Sequence, residues 1–167
     1  MRMSKVEHVL LSELLQWYSL QRHDFLNHWQ VIMGYLQLNR PEEALRYMQE
    51  TKAGSLEEQK IAQIPEPCLA ATLLGFIIRL NHEGVIATLD FPEEMIQSDF
   101  WKDHWREEYV EGLYGYTTEW MKVVSQFRTL KDLNAEVYLY DEPGGFACQL
   151  ILFDEETVLY EKLVTFN

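Results

Sequence analysis

The chain is poor in cysteine, in basic residues and in long apolar runs, and each shortage excludes something. Its two cysteines, Cys68 and Cys148, lie 80 positions apart. That spacing is neither a zinc site nor a redox pair, so both read as free thiols in a reducing compartment. Lysine and arginine number 14 against 27 aspartates and glutamates, a net charge of −13. A surface so acidic repels phosphate backbones and anionic lipids, which argues against nucleic acid and membrane surfaces as partners. The most apolar window, Cys68 to Ile78, is eleven residues long, whereas a membrane span needs roughly 20. Ser12, Glu13 and Gln16 interrupt the apolar character near the N-terminus, so no signal segment is expected and the protein is expected in the cytoplasm.

What remains is a globular composition, 47% hydrophobic and 13% aromatic over 167 residues. Charge divides it unevenly. Residues 1–60 carry 7 basic and 8 acidic side chains, a net −1; residues 61–167 carry 7 and 19, a net −12. Between Met3 and Leu38 there is no proline and one glycine, Gly34, which predicts one long helix. Asn39-Arg40-Pro41 predicts a stop and a restart, with Pro41 in the first turn of a helix running to about Lys60 and weakest at Gly54-Ser55. Ile64-Pro65-Glu66-Pro67 marks the boundary between a helical hairpin, 1–63, and a second domain, 64–167. In that domain the pattern predicts a helix over Cys68–Asn81, a strand over Val85–Phe91, a polar loop and a helix from about Asp103 to Leu130. Strands follow at Ala135–Tyr140, Phe146–Phe153 and Thr157–Phe166. The expected class is α+β, helices layered on a mostly antiparallel sheet.

At 100° per residue, the first helix separates into two sides. Leu11, Leu14, Tyr18, Phe25, Trp29, Ile32 and Leu36 make an apolar stripe, and Gln16, Ser19, His23, Asn27, Gln30, Gly34 and Gln37 make an opposing strip without an acid. A hairpin about 55 Å long, at 1.5 Å per residue, cannot bury the apolar arc alone. A second copy is expected to complete a four-helix bundle in a homodimer. His23 is expected to face water as a largely neutral, nucleophilic imidazole. Gly34, about 1 kcal/mol worse than alanine in mid-helix, signals close approach either of a docking protein or of the second helix.

Arg22-His23-Asp24-Phe25-Leu26-Asn27, with Gln30-Val31-Ile32-Met33-Gly34-Tyr35-Leu36-Gln37-Leu38, resembles the phosphoacceptor helix of the sporulation initiation phosphotransferase B family. It is similar also to the dimerisation helix of citrate/malate-type sensor histidine kinases. His28 and Trp29 stand where such helices more usually carry a lysine and an aliphatic residue. The resemblance implies a phosphorelay in sporulation initiation, in which His23 takes a phosphoryl group from the aspartyl phosphate of one response regulator and gives it to another. It implies no intrinsic cofactor, since the regulator brings Mg²⁺ with its own aspartate and lysine. Asp24 would steer protonation of the ring or be a solvated charge. Asn27 would orient water or ligand, or merely occupy the polar face. Arg22 would steer phosphate or lie along the apolar stripe. With Gln16, Ser19, Gln30, Gly34 and Gln37, it makes up the expected docking set.

The second domain, by the same resemblance, is an α/β sandwich like a degenerate histidine-kinase ATPase domain. The kinase pattern would place a metal-binding asparagine between Tyr109 and Trp120, and that stretch contains none. Gly112 and Gly115 there suit close packing, and Asp141-Glu142-Pro143-Gly144-Gly145 suits a hairpin turn better than a nucleotide loop. A phosphotransferase is therefore expected; a histidine kinase with degenerate nucleotide motifs and a non-catalytic regulator-binding dimer are the alternatives.

Overall fold

The computed structural model describes residues 4–52 and 56–167. A single helix, α1 (Lys5–Gln37), takes up the whole proline-free stretch. It begins on a capping box, in which the Ser4 hydroxyl accepts from the Glu7 N–H and the Glu7 carboxylate accepts from the Ser4 N–H. It ends on a Schellman motif. Asn39 takes the left-handed conformation at φ 56°, and the Arg40 N–H reaches back to the Tyr35 carbonyl at 2.9 Å. Asparagine tolerates that conformation, so the chain reverses without a glycine, and α2 (Pro41–Lys52) starts on the proline.

The second helix is shorter than expected. After α2 ends at Lys52, α3 (Leu56–Ile61) is a separate element; Gly54-Ser55 lies outside the described residues. Instead of continuing the hairpin, α3 packs against α4 (Pro67–His82) and the strand β1 (Ile86–Asp90). Its Glu57 carboxylate accepts from the Leu89 N–H at 2.7 Å, and Lys60 donates to the Leu89 carbonyl at 3.0 Å. Glu57 and Lys60 also pair with each other at 3.2 Å. Together they pair both backbone groups of Leu89 on the free edge of β1.

The expected loop before the next helix is largely helical. A 3₁₀ turn (Glu93–Ile96) leads to α5 (Ser98–His104), and α6 runs Tyr109–Gln126, so the single helix over 103–130 is corrected to two. The break has an aromatic cause. Trp105 leaves the helical region at φ −112°, ψ 138° and stacks its ring on Phe146, while buried Trp101 donates its indole N–H to the Met95 carbonyl at 2.7 Å. Burial of these large rings outweighs continuous helical hydrogen bonding.

Strands β2 (Leu133–Glu142), β3 (Gly145–Asp154) and β4 (Thr157–Phe166) complete a four-stranded mixed sheet in the order β1-β2-β3-β4. β1 is parallel to β2 and the other pairs are antiparallel. Asp141–Gly145 forms the expected hairpin end: Glu142 pairs with Gly145, and Gly144 has φ 74°. A Cβ on Gly145 would fall 1.7 Å from the Phe166 carbonyl oxygen, so only glycine fits there. One sheet face, including Val137, Leu139, Phe146, Leu150 and Val164, is buried with Phe76, Leu73 and Trp120 from the helices. The fold is thus α+β, a long N-terminal helix followed by a C-terminal helix-and-sheet layer. Gly112 does approach β4 closely, its Cβ position being 3.2 Å from the Phe166 ring, whereas nothing crowds Gly115.

Candidate functional site

The middle of α1 carries the site, and two sets of contacts hold it. Toward its N-terminal half, Leu10 is buried, Tyr114 of α6 donates to Glu13 at 2.8 Å, and the Trp17 ring meets His82 edge-on at 6.2 Å. Toward its C-terminal half it packs on α2, with the His28 ring nitrogen and the Tyr47 hydroxyl 2.7 Å apart and Ala44 buried. His28 therefore serves the hairpin's interior and does not belong to the docking strip.

Between these anchors His23 stands clear, its side chain 72% exposed. Two neighbours address the same ring nitrogen. Asp24 Oδ1 lies 3.4 Å from His23 Nδ1, and Asn27 Nδ2 lies 3.2 Å from it. A carboxylate can only accept, so contact with Asp24 favours the tautomer with the proton on Nδ1 and the lone pair on Nε2. The Asn27 amide nitrogen can only donate, so it favours the opposite tautomer in the orientation seen. Among the described residues Nε2 has no hydrogen-bond partner and faces water. The pairing of Asp24 with its predecessor, left open by helix geometry alone, is made by side-chain reach.

The remaining expected residues separate. Gln16, Ser19, Gln30 and Gln37 are exposed, and no atom lies within 4 Å of a Cβ placed on Gly34. Packing on the second helix therefore does not explain Gly34. Arg22 lies apart from the strip, lining a groove with Tyr18, Phe25 and Thr51. Most of the apolar stripe is exposed as well: Tyr18, Phe25, Trp29 and Leu36 on α1, and Leu45 and Met48 on α2, face outward, while Leu14 and Ile32 are half-buried.

One feature escaped the sequence reading. Asp24 also lines a cleft of about 310 Å³ formed by α1, α3 and the end of α4, together with Trp17, Gln21, Glu58, Asn81 and His82. Burial pushes the Glu58 carboxyl above its ordinary range, and the 3.0 Å hydrogen bond from Gln21 partly offsets this. Nothing in the local sequence of Glu58 signals its place beside α1, because 37 residues separate it from Gln21.

A long helix turning into a second helix, with one exposed imidazole midway along it, defines a histidine-bearing helical hairpin domain. Residues 1–64 match the family described as sensor kinase SpoOB-type, alpha-helical domain. The match supports the resemblance to the sporulation initiation phosphotransferase B family and points to sporulation-related two-component signalling. No curated protein matches the chain. Among the described residues no helix is long and apolar enough to cross a membrane.

Proposed function

We propose that the protein is a phosphorelay phosphotransferase, passing a phosphoryl group between response-regulator aspartates through a phosphohistidine at His23. The observation that carries this reading is the ring itself, exposed in mid-helix with Nδ1 against Asp24 and Nε2 facing water. In the forward step the Nε2 lone pair attacks phosphorus in line. The P–O bond to the regulator's aspartate breaks, its electron pair leaves on the carboxylate, and an N–P bond forms. With the Asn27 amide turned so that its oxygen and not its nitrogen faces the ring, the proton sits on Nδ1 and stays there, and Asp24 offsets the positive charge that develops. Transfer to the second regulator is the same step reversed. Such a transition state is loose and calls for positioning and charge stabilisation, with little covalent chemistry. The regulator supplies Mg²⁺ and its lysine at the reacting phosphate.

The dimer belongs to the same reading. A second hairpin laid on the stripe from Tyr18 to Leu36 would complete a four-helix bundle and leave the His23 strip free on the outside. The hairpin, residues 1–63, would carry dimerisation and transfer; residues 64–167 would be a kinase-like layer without a nucleotide site.

Labelling separates the possibilities. Protein is incubated with a ³²P-labelled phosphorylated response regulator, or with labelled ATP alone. Label from the regulator, absent in His23→Ala, is the expected result. Label from ATP alone identifies a kinase, and label from neither identifies a non-catalytic binding dimer.

A further inference from the structure

The sheet buries one face against the helices and leaves the residues of the other face largely open. The strand registers arrange that open face in rows. Ile86, Asn134, Phe153 and Val158 lie side by side at one end. The next row is Thr88, Glu136, Ile151 and Glu161, and the one after it Asp90, Tyr138, Gln149 and Leu163. Ile86 is 68% and Leu163 54% exposed, and Val158 and Tyr140 also face outward. Tyr138 stacks beside Tyr140 with ring centroids 6.2 Å apart. Single apolar residues on a surface need no explanation, but neighbouring rows of them mark an interaction surface.

Charge on this face has one sign. No lysine or arginine stands at any of its register positions, while Asp90, Glu136 and Glu161 do. The hydrogen bonds there come from neutral donors. Tyr140 donates to Gln149 at 2.5 Å, Gln149 donates to Glu161 at 2.6 Å, and Tyr138 donates to Glu136 at 2.9 Å. They hold the carboxylates in place without neutralising them. The lysine and arginine ion pairs among the described residues lie elsewhere. Even Lys162 of β4 projects to the covered side, where it meets Glu119 of α6 at 3.0 Å.

Charge also selects what covers the face. In a two-fold pair the same patch meets itself, so a second copy would set these carboxylates against their like. Anionic lipid and nucleic acid are repelled for the same reason. A partner with an apolar centre and a basic rim satisfies both parts of the surface. A sheet with helices on one face is completed, as a layered fold, by a helix on the other.

We propose that the open face of the sheet docks an amphipathic basic helix of a partner protein. Its apolar side would lie on Ile86, Phe153, Leu163 and the two tyrosines, and its lysines or arginines would reach Glu136 and Glu161. The proposal stands apart from the relay reading, since it concerns the sheet and involves no phosphate.

The probe is a 14-residue capped peptide of leucine and lysine with leucine at the helical period, about 20 Å long at 1.5 Å per residue. It is titrated into the full chain labelled with ¹⁵N and ¹³C. One control peptide carries glutamate in place of lysine; another, of the same composition, strictly alternates leucine and lysine and has no apolar helical side. Saturable shifts at Ile86, Leu163 and the amides of β2 to β4, with the helical basic peptide only, are the expected result. They are expected to vanish in the double variant Ile86→Lys, Leu163→Lys, whose two side chains are exposed, so that circular dichroism stays unchanged. Glu161→Gln is expected to weaken binding by a factor of roughly 1.5 to 5, the worth of an exposed ion pair. That difference should disappear in high salt. No shift at the sheet, equal binding of either control peptide, binding retained in the double variant, or an unchanged affinity of Glu161→Gln at low salt overturns the proposal. Shifts of the same residues that grow with protein concentration, without peptide, identify a second copy as the occupant and overturn it as well.

Discussion

Replacing Trp29 by alanine tests the paired hairpin. Trp29 is 50% exposed in the single chain, and its ring meets Phe25 edge-on at 6.0 Å. A tryptophan buries up to about 250 Å², so roughly 100 Å² of this one awaits cover. At about 25 cal/mol per Å² that is about 2.5 kcal/mol per copy. A two-fold interface counts the residue twice, about 5 kcal/mol in all, which corresponds to a dissociation constant weaker by roughly 10³ to 10⁴. The single chain should change less, since half of the side chain is exposed in it. Sedimentation equilibrium over a concentration series reads the effect directly, with circular dichroism as the check on folding. A dimer turning to monomer at unchanged helicity is expected. A wild-type protein that sediments as a monomer, or a variant that dimerises as tightly as wild type, would refute the reasoning.

Other predictions follow from particular contacts. Asp24→Asn should slow phosphoryl acceptance without loss of stability, because the side chain is exposed and only its charge on Nδ1 is lost; single-turnover transfer kinetics beside a melting curve checks this. Glu57→Ala should destabilise the fold by about 1–3 kcal/mol, the cost of leaving the Leu89 N–H unpaired, as read from urea unfolding. Gly34→Ala meets no atom and should stabilise α1 by up to about 1 kcal/mol. If Gly34 serves docking, that variant also slows transfer; an unchanged rate would remove it from the docking set. Burial pushes the Cys148 thiol up to about 12, so at pH 8 it stays protonated and resists alkylation until the sheet unfolds; fast reaction of folded protein with iodoacetamide would contradict this.

The long helix was legible because an uninterrupted run of helix-compatible residues ends on Asn39-Arg40-Pro41, local signals that need no tertiary partner. His23 was legible for the same reason: the helical period alone assigns it to the polar side. The strands and the Pro143-Gly144 turn were legible from alternation and turn chemistry. The break at Trp105–Glu108 was not, since it exists to stack Trp105 on Phe146, some 40 positions away. Nor was the departure of α3 from the hairpin, which is fixed by Glu57 and Lys60 on the edge of β1. The cleft at Glu58 was hidden likewise, being assembled from three helices that only the fold brings together.

The central claim concerns one nitrogen. Protein exposed briefly to a phosphorylated response regulator, quenched in alkali and digested, can be mapped by mass spectrometry for an acid-labile phosphoramidate. A phosphoryl group on the peptide bearing His23, absent when ATP replaces the regulator, is the predicted result. A modified residue elsewhere, or phosphorylation of His23 by ATP with no regulator present, would contradict it.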